Sequence, residues 1–329
     1  MTNKKSVSII IPNYNGKHLL EKYLKYAYIA ADNAKVDYEI IIVDDASTDD
    51  SVSFLKEHYP SVVLLQNTKN RGFSYSCNQG LKCARFELIL LLNSDVKLSP
   101  DYFEHQWRYF EQPDTFGVMG RIMSVDNSKI EDAARYMNLT GGKIKASRFF
   151  YSKNSSDYTP TTYLSGANAL IFKDKLRSIG GFDEIFSPFY SEDFELGLRA
   201  WRLGWKCYYE HRSICFHQIS ASTSKYETAD WVKHIYYRNK FLLHAIHLNG
   251  PLLYLYFLQL IFIDLLPKVL CGKLWIIKSH LAFFQHTDEI RRSKERLAEL
   301  MTAHNSSLSI ADVKRKLQDN LQNRNLVWF

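Results

Sequence analysis

Apolar residues in the first third of the chain come in short, nearly continuous runs rather than in alternation. Residues 7–11, 39–43, 62–66 and 88–92 are such runs, rich in Val, Ile and Leu. Between them apolar positions recur at helical spacing over residues 18–31, 51–58 and 74–85. Continuous apolar runs of this length read as strands buried on both faces. Strands alternating with helices predict a parallel, doubly wound α/β sheet. After Pro100 the texture becomes mixed, and a Ser/Thr/Asn-rich stretch over residues 152–162 predicts a loop.

Two of the strands stop abruptly in acid. Leu92 gives way to Asn93-Ser94-Asp95, and Val43 to Asp44-Asp45. A carboxylate at a strand end stands where open α/β sheets bind ligands. The pair therefore points to a metal ion, a nucleotide or both, with simple helix capping as the plainer alternative. The turn after the first strand, Pro12-Asn13-Tyr14-Asn15-Gly16, is neither GxGxxG nor GxxxxGKS. A dinucleotide grip and a P-loop are thereby excluded. Without a glycine cradle, phosphates must be held by a metal ion and basic side chains, and Asp95 is the first candidate ligand.

Composition narrows the picture modestly. A chain of 329 residues with 46% hydrophobic and 23% charged residues can bury a full core and excludes extensive disorder. A net charge of +7 favours anionic partners without selecting among them. The basic residues are spread out, which argues against nucleic acid. Five scattered cysteines without CxxC spacing read as reduced thiols of a cytosolic protein. The polar start, Thr2-Asn3-Lys4-Lys5-Ser6, leads straight into a strand, so no secretory leader is expected.

The ordered motifs resemble a known family. Ser8-Ile9-Ile10-Ile11-Pro12-Asn13-Tyr14-Asn15-Gly16, Val43-Asp44-Asp45-Ala46-Ser47-Thr48-Asp49 and Asn70-Arg71-Gly72-Phe73 are similar to successive motifs of the family 2 glycosyltransferases of GT-A fold. Asn93-Ser94-Asp95 stands where that family carries its DxD-type metal motif. Ser165-Gly166-Ala167, Ile179-Gly180-Gly181-Phe182-Asp183-Glu184 and Ser191-Glu192-Asp193-Phe194-Glu195-Leu196 follow, then Arg199 and Gly204. The resemblance covers about residues 6–220 and is strongest to rhamnosyltransferase-like and galactofuranosyltransferase-like members that build bacterial surface polysaccharides.

It implies a GT-A α/β fold with a doubly wound mixed sheet. Residues 1–225 would be catalytic (donor half about 1–97, acceptor half about 98–225), and residues 226–329 a helical C-terminal region. It also implies roles. Pro12, Tyr14, Asn15, Asp44, Asp45, Arg71, Asn93, Asp95, Gly166 and Ala167 would bind the nucleotide sugar. Asp44 would reach the pyrimidine or ribose, and Arg71 the base or pyrophosphate with its fork of donors. Asp95 would hold a divalent cation, Mg²⁺ or Mn²⁺, that neutralises charge on the leaving diphosphate. Asn rather than Asp at position 93 leaves that motif one strong anionic ligand, which shifts weight onto the donor pyrophosphate and His217. His217, ending the run Ile214-Cys215-Phe216-His217, would complete the metal shell, against the plainer reading of a structural histidine. Asp193 matches the general base of a direct inverting displacement, and Glu192 would position the acceptor or tune its neighbour. Without the motif order, the same acids would read as a first-turn helix cap.

Three functional classes follow. The leading one is an inverting glycosyltransferase using a dTDP- or UDP-sugar and a saccharide or lipid-linked saccharide acceptor, peripheral on the cytoplasmic face of the inner membrane. The others are a nucleotidyltransferase acting on sugar phosphates and a non-catalytic nucleotide-sugar-binding module. Trp201, Trp205 and Tyr190 are candidates either for stacking on sugar rings or for the core. A helical region opens at His234, and residues 252–266 form an almost continuous apolar run containing Asp264 and followed by Lys268, Lys273 and Lys278. It is short of the roughly 20 residues of a membrane span. It fits a helix lying in the membrane interface, one packed under the catalytic domain or in a subunit interface, or, less well, a span. Residues 286–316 read as a charged, solvated amphipathic helix, and the oligomeric state, a homodimer included, is left open.

Overall fold

The computed structural model describes residues 4–218 and 228–329. The domain boundary expected at 225/226 lies outside the described residues, as do Thr2 and Asn3. The four apolar runs form β1 (Val7–Asn13), β2 (Tyr38–Asp44), β3 (Val63–Gln66) and β4 (Leu88–Leu92). These strands are parallel in the order β4-β1-β2-β3, with Ile9 opposite Ile40 and Leu90. They are linked through α1 (Lys17–Ala34), α2 (Ser51–His58) and α3 (Phe73–Cys83).

The runs of β1, β2 and β4 are apolar because both faces of the sheet are covered there, whereas β3 is a half-exposed edge strand. Ile9, Ile11, Ile40, Ile42, Leu88 and Leu90 share one core with Leu20, Leu24 and Ala27 of α1. Ile10, Ile41, Val43, Ile89 and Leu91 share another with Cys77 and Leu81 of α3. Gly80 is needed in α3 because a β-carbon there would come within 2.5 Å of Ile10.

The middle of the chain supplies β5 (Val96–Leu98), β6 (Thr115–Ser124), β7 (Ile130–Asp132), β8 (Ala134–Thr140), β9 (Lys143–Ser152), β10 (Thr159–Thr161) and β11 (Asn168–Phe172). After these come α4 (Lys173–Ser178), α5 (Glu192–Arg202) and β12 (Lys206–His217). The sheet order is β10-β12-β6-β11-β4-β1-β2-β3. Parallel pairing does not extend through the sheet as the alternating pattern predicts. β11 runs antiparallel between β4 and β6, while β12 is parallel to β6. The whole sheet is mixed. The expected loop over residues 152–162 contains β10, whose Thr159 and Thr161 pair with Tyr209 and Cys207. Its threonines are buried there, and Thr161 Oγ1 accepts the Arg135 N–H at 2.9 Å and donates to the Tyr163 carbonyl at 3.1 Å.

The C-terminal region comprises α6 (Ala229–His247), then α7 (Gly250–Gln259), a π-helical turn (Leu260–Leu265) and α8 (Leu266–Leu270) in one continuous run. α9 (Trp275–Gln285), α10 (Thr287–Ala303) and α11 (Ile310–Leu321) follow. β13 (Leu326–Trp328) joins β9 and β8 in a small second sheet. Phe241, Leu242, Tyr256, Ile276, Leu297 and Leu317 belong to the same core as Ile10 and Leu91. The helices therefore cover one face of the main sheet and do not form a core of their own. The charged stretch after residue 286 buries Ile290, Leu297 and Met301 at helical spacing and leaves its charges in solvent.

Residues 252–266 behave differently. The helical run Gly250–Leu270 has a mean hydropathy of 1.7, and only 11% of its most apolar window is buried. Tyr256 and Leu260 face the core, whereas Tyr254, Leu258, Phe262 and Ile263 are each more than half exposed. Asp264 is not stranded among them, because it pairs with Lys143 and with Lys268 at 3.3 Å.

Candidate active site

The parallel strands deliver their last residues to one edge of the sheet, above a cleft of about 1030 Å³. Pro12, Tyr14, Asn15, Asp45, Asn93, Asp95, Gly166, Ala167, Glu192, Asp193 and His217 all line it. Asn15, with φ +49, accepts the backbone N–H of Thr48 at 2.7 Å, so the loops after β1 and β2 brace each other. Asp45 accepts the backbone N–H groups of Arg71 at 2.9 Å and Gly72 at 2.7 Å and the amide of Asn67 at 2.7 Å. Asn93 donates its N–H to the carbonyl of Ala167, fixing the Gly166-Ala167 corner beside the strand end.

Two of the expected residues lie elsewhere. Asp44 is buried and turned away from the cleft, where its carboxylate accepts the Asn13 amide at 3.0 Å and the Ser47 N–H at 2.9 Å. Both of its oxygens help hold the loops after β1 and β2. Arg71 holds its backbone in the cleft wall, but its guanidinium stacks on Tyr75 at 4.1 Å and lines a neighbouring cavity. The N–H bonds of Arg71 and Gly72 to Asp45 fix the main chain, and the Arg71 side chain leaves on the far side. Of the aromatic candidates, Tyr190 lines the cleft. Trp201 is buried, with its indole N–H on Thr161, and Trp205 stacks on Phe116; both belong to the core.

Sheet pairing brings Asp95 and His217 together. Antiparallel register sets His217 opposite Val96, and the Gln218 N–H bonds the Asp95 carbonyl at 3.1 Å. His217 Nε2 is then 3.5 Å from Asp95 Oδ2, and Nδ1 is 3.2 Å from Glu131 Oε2. Burial works against a charged imidazole, but the two carboxylates outweigh it and raise the His217 pKa. Asp95 Oδ1 is buried without a hydrogen-bond partner, an arrangement that a hard cation would satisfy. Among the described residues no group of three or more His, Cys, Asp or Glu is placed to hold a metal ion by itself. The protein thus offers a carboxylate and an imidazole, a fit for a divalent ion whose other ligands come from a bound diphosphate.

Across the cleft, Glu192 and Asp193 open α5. Tyr190 and Ser191 immediately before them are both left-handed, at φ +77 and +72, which costs non-glycine residues energy and marks an over-determined turn. What holds the turn is Asn239 of α6, whose amide bonds the carbonyls of Phe186, Phe189 at 2.8 Å and Tyr190 at 2.9 Å. Burial pushes the Asp193 carboxyl up to about 6, although Arg135 and the N–H of Phe194 pull the other way. Burial and the neighbouring Asp193 drive Glu192 well above the carboxylate range. One turn on, Glu195 forms a buried pair with Arg199 at 2.7 Å and lies 3.6 Å from His247 of α6.

Sequence reading missed Glu131, Asp132, Arg135 and Trp231 as site residues. Glu131, Asp132 and Trp231 line the cleft, and Arg135, paired to Asp132 at 2.9 Å, acts electrostatically on Asp193. The one available signal was the adjacent acid pair Glu131-Asp132, which echoes Glu192-Asp193. Trp231 stands beyond the motifs and gave none.

A mixed sheet with acids at its parallel strand ends, a nucleotide-sized cleft and a carboxylate–imidazole pair in it defines the GT-A class of nucleotide-sugar transferases. The chain belongs to glycosyl transferase family 2, whose model matches residues 8–180, more than half its length. It is 25% identical to chondroitin synthase of Escherichia coli over 64% of this chain and 34% of that one. It is 22% identical to the N-acetylglucosaminyl-diphospho-decaprenol L-rhamnosyltransferase of Mycobacterium tuberculosis strain H37Rv, over 66% of this chain and 77% of that enzyme. The chain thus spans about a third of the length of the synthase it matches. Among solved structures, GalNAc-T7 with UDP, GalNAc and Mn²⁺ superposes with a TM-score of 0.68 at 13% identity, over 98% of this chain and 58% of that one. The S. aureus TarS fragment 1-349 with UDP-GlcNAc gives 0.53 at 14% identity, over 96% and 91%. These superpositions establish a shared fold.

Proposed function

We propose that the protein is an inverting glycosyltransferase that moves a sugar from a UDP- or dTDP-sugar to a hydroxyl of a saccharide or lipid-linked saccharide in bacterial surface polysaccharide synthesis. The observation that carries this reading is the placement of Asp193 in the same cleft as Asp95 and His217, with its pKa raised by burial. A carboxylate with a pKa near neutrality is a better general base than an ordinary aspartate and is still ionised at working pH. The acceptor O–H gives its proton to Asp193 as its oxygen forms the bond to the anomeric carbon. The bond from that carbon to the diphosphate breaks on the opposite face, and the nucleoside diphosphate leaves with the electron pair. One displacement needs one base, so Glu192, whose charged form burial and Asp193 disfavour, would position the acceptor or tune its neighbour.

Asp95 and His217 would hold Mg²⁺ or Mn²⁺, which when bound neutralises charge on the diphosphate. Mn²⁺ accompanies nucleotide ligands in two structures of the same fold, GalNAc-T7 and the Pyrobaculum calidifontis mannosyltransferase.

The Gly250–Leu270 helix supports a peripheral place on the cytoplasmic face of the membrane. With Tyr256 and Leu260 docked on the protein, the helix cannot be surrounded by lipid, but its other face can lie in the interface. Lys273 and Lys278 flank it, in keeping with anionic headgroups.

The test is hydrolysis and binding across UDP-, dTDP- and GDP-sugars with Mg²⁺ or Mn²⁺. Metal-dependent release of one nucleoside diphosphate with inversion at the sugar is the expected result. Retention of configuration, or response to none of the sugars, would overturn the reading.

A further inference from the structure

A second cavity, of about 540 Å³, lies behind the cleft wall between α6, α10 and the 183–187 turn. Arg71, Arg238, Arg292 and Arg296 line it. Arg292 lies 3.6 Å from Glu289, but among the described residues Arg71, Arg238 and Arg296 have no carboxylate within ion-pairing distance. The acids on the wall are engaged otherwise. Asp183 accepts the Ser293 hydroxyl and the Ile185 N–H, and Glu184 accepts the Asn78 amide.

Arg238 is informative. It donates to the Ser187 carbonyl and to Asn239 Oδ1, and burial without a counter-ion lowers its pKa to about 10. A partly desolvated guanidinium left unpaired is costly, and an entering anion would offset that cost. Guanidinium forks match phosphate oxygens two at a time, so three unpaired ones around a cavity of this size fit a phosphoryl group better than a carboxylate.

Two further features locate the ligand. The cavity shares its wall with the donor cleft: Gly72 and Pro188 face the cleft, and their neighbours Arg71 and Ser187 face the cavity. The Phe73 N–H bonds the Pro188 carbonyl at 3.0 Å and stitches that wall together. On its other side the cavity reaches His286, directly after α9, whose Leu281 and Phe284 are 58% and 60% exposed. A phosphoryl site thus lies where the exposed apolar face ends.

We propose that this cavity is a second phosphoryl-binding site, distinct from the donor cleft, that takes the phosphate or diphosphate ester at the head of an apolar chain. It rests on the glycosyltransferase reading only in that the amphiphile would be the lipid-linked acceptor. The phosphoryl chemistry could also come from a soluble diphosphate, and the experiment separates the two sources.

Sodium pyrophosphate is titrated calorimetrically into the full chain in EDTA, with and without saturating UDP. Vesicles of phosphatidylcholine with or without phosphatidic acid are then added as competitors. The expected result is one pyrophosphate bound that UDP does not displace. Its affinity falls about tenfold or more in Arg238→Gln/Arg296→Gln, and phosphatidic acid vesicles compete for it while plain vesicles do not. UDP binding in the same variant reports that the cleft is folded, and Arg292→Gln, at an exposed position, gives a milder loss if the double variant does not fold. Pyrophosphate fully displaced by UDP, or unchanged affinity in variants that still bind UDP, would overturn the site. Binding of pyrophosphate without competition by phosphatidic acid vesicles would overturn the lipid-borne ligand. Failure of UDP to bind when Mn²⁺ is supplied in place of EDTA counts against the proposed donor cleft and leaves the pyrophosphate readout intact.

Discussion

His217 Nε2 stands 3.5 Å from Asp95 Oδ2, and the other ring nitrogen of His217 stands 3.2 Å from Glu131. A carboxylate behind an imidazole fixes which nitrogen faces a metal, and loss of such a partner typically weakens metal affinity about 10–100-fold. Glu131→Gln is expected to weaken Mn²⁺ binding in the presence of UDP by that order, and Asp95→Asn by more. Electron paramagnetic resonance of free Mn²⁺ measures both. Undiminished affinity in Asp95→Asn would remove it from the metal shell.

Asp193→Asn keeps the shape of the side chain and removes the base. Transfer should fall by about 10²–10⁴-fold, while UDP and Mn²⁺ binding stay as in the parent. In the parent, kcat should rise with pH through about 6, because burial lifts the Asp193 pKa and only the ionised form accepts the proton. An acidic limb near 4, or a fully active Asn variant, would exclude Asp193 as the base.

Asn239 acts on the site from α6 through the carbonyls of Phe186, Phe189 and Tyr190. Asn239→Leu leaves these acceptors unpaired at a cost of about 1–3 kcal/mol. It also frees the left-handed turn that aims Asp193. The expected signature is a lower kcat with little change in donor Kd, together with a lower Tm. Equal losses in binding and turnover would argue for general unfolding instead.

Glu195 and Arg199 are each nearly fully buried, at 3% and 4% side-chain exposure. Removing one partner strands the other charge, so Glu195→Gln should cost about 3–5 kcal/mol in urea unfolding. Burial acts to raise the Glu195 pKa, but Arg199 and His247 outweigh it and hold it at about 2. Its contribution is therefore complete above the unfolded value of about 4.3 and is lost as pH falls through that value toward 2. The parent should lose stability over that window more steeply than the variant.

Leu258 and Phe262 lie on the exposed face of the Gly250–Leu270 helix, at 54% and 62% exposure. Burying each in lipid is worth about 1.5–3 kcal/mol. Leu258→Glu/Phe262→Glu should then reduce flotation with anionic vesicles by tenfold or more and leave soluble-acceptor turnover unchanged. Parent protein that does not float would exclude the interfacial placement.

Local patterns carried much of this molecule. Near-continuous apolar runs determined β1, β2 and β4 because strands covered on both faces have no polar side to show, and β3 followed at the half-exposed edge. The abrupt stops at Asp45 and Asp95 determined where a ligand edge would lie, and the motif order selected Asp193 as the candidate base. What the chain could not show in one dimension was decided by pairing and packing. β11 pairs antiparallel with both β4 and β6, and the pairing of β12 with β5 puts His217 opposite Val96 and so beside Asp95. Asp44 and Arg71 looked like ligand residues in sequence, yet hydrogen bonds to Asn13 and Ser47, and Asp45's grip on the Arg71 backbone, sent their side chains elsewhere. Glu131, Arg135 and Asn239 entered the site from separate elements, since a cleft is a property of surfaces that meet and each residue's part in it depends on a partner far along the chain.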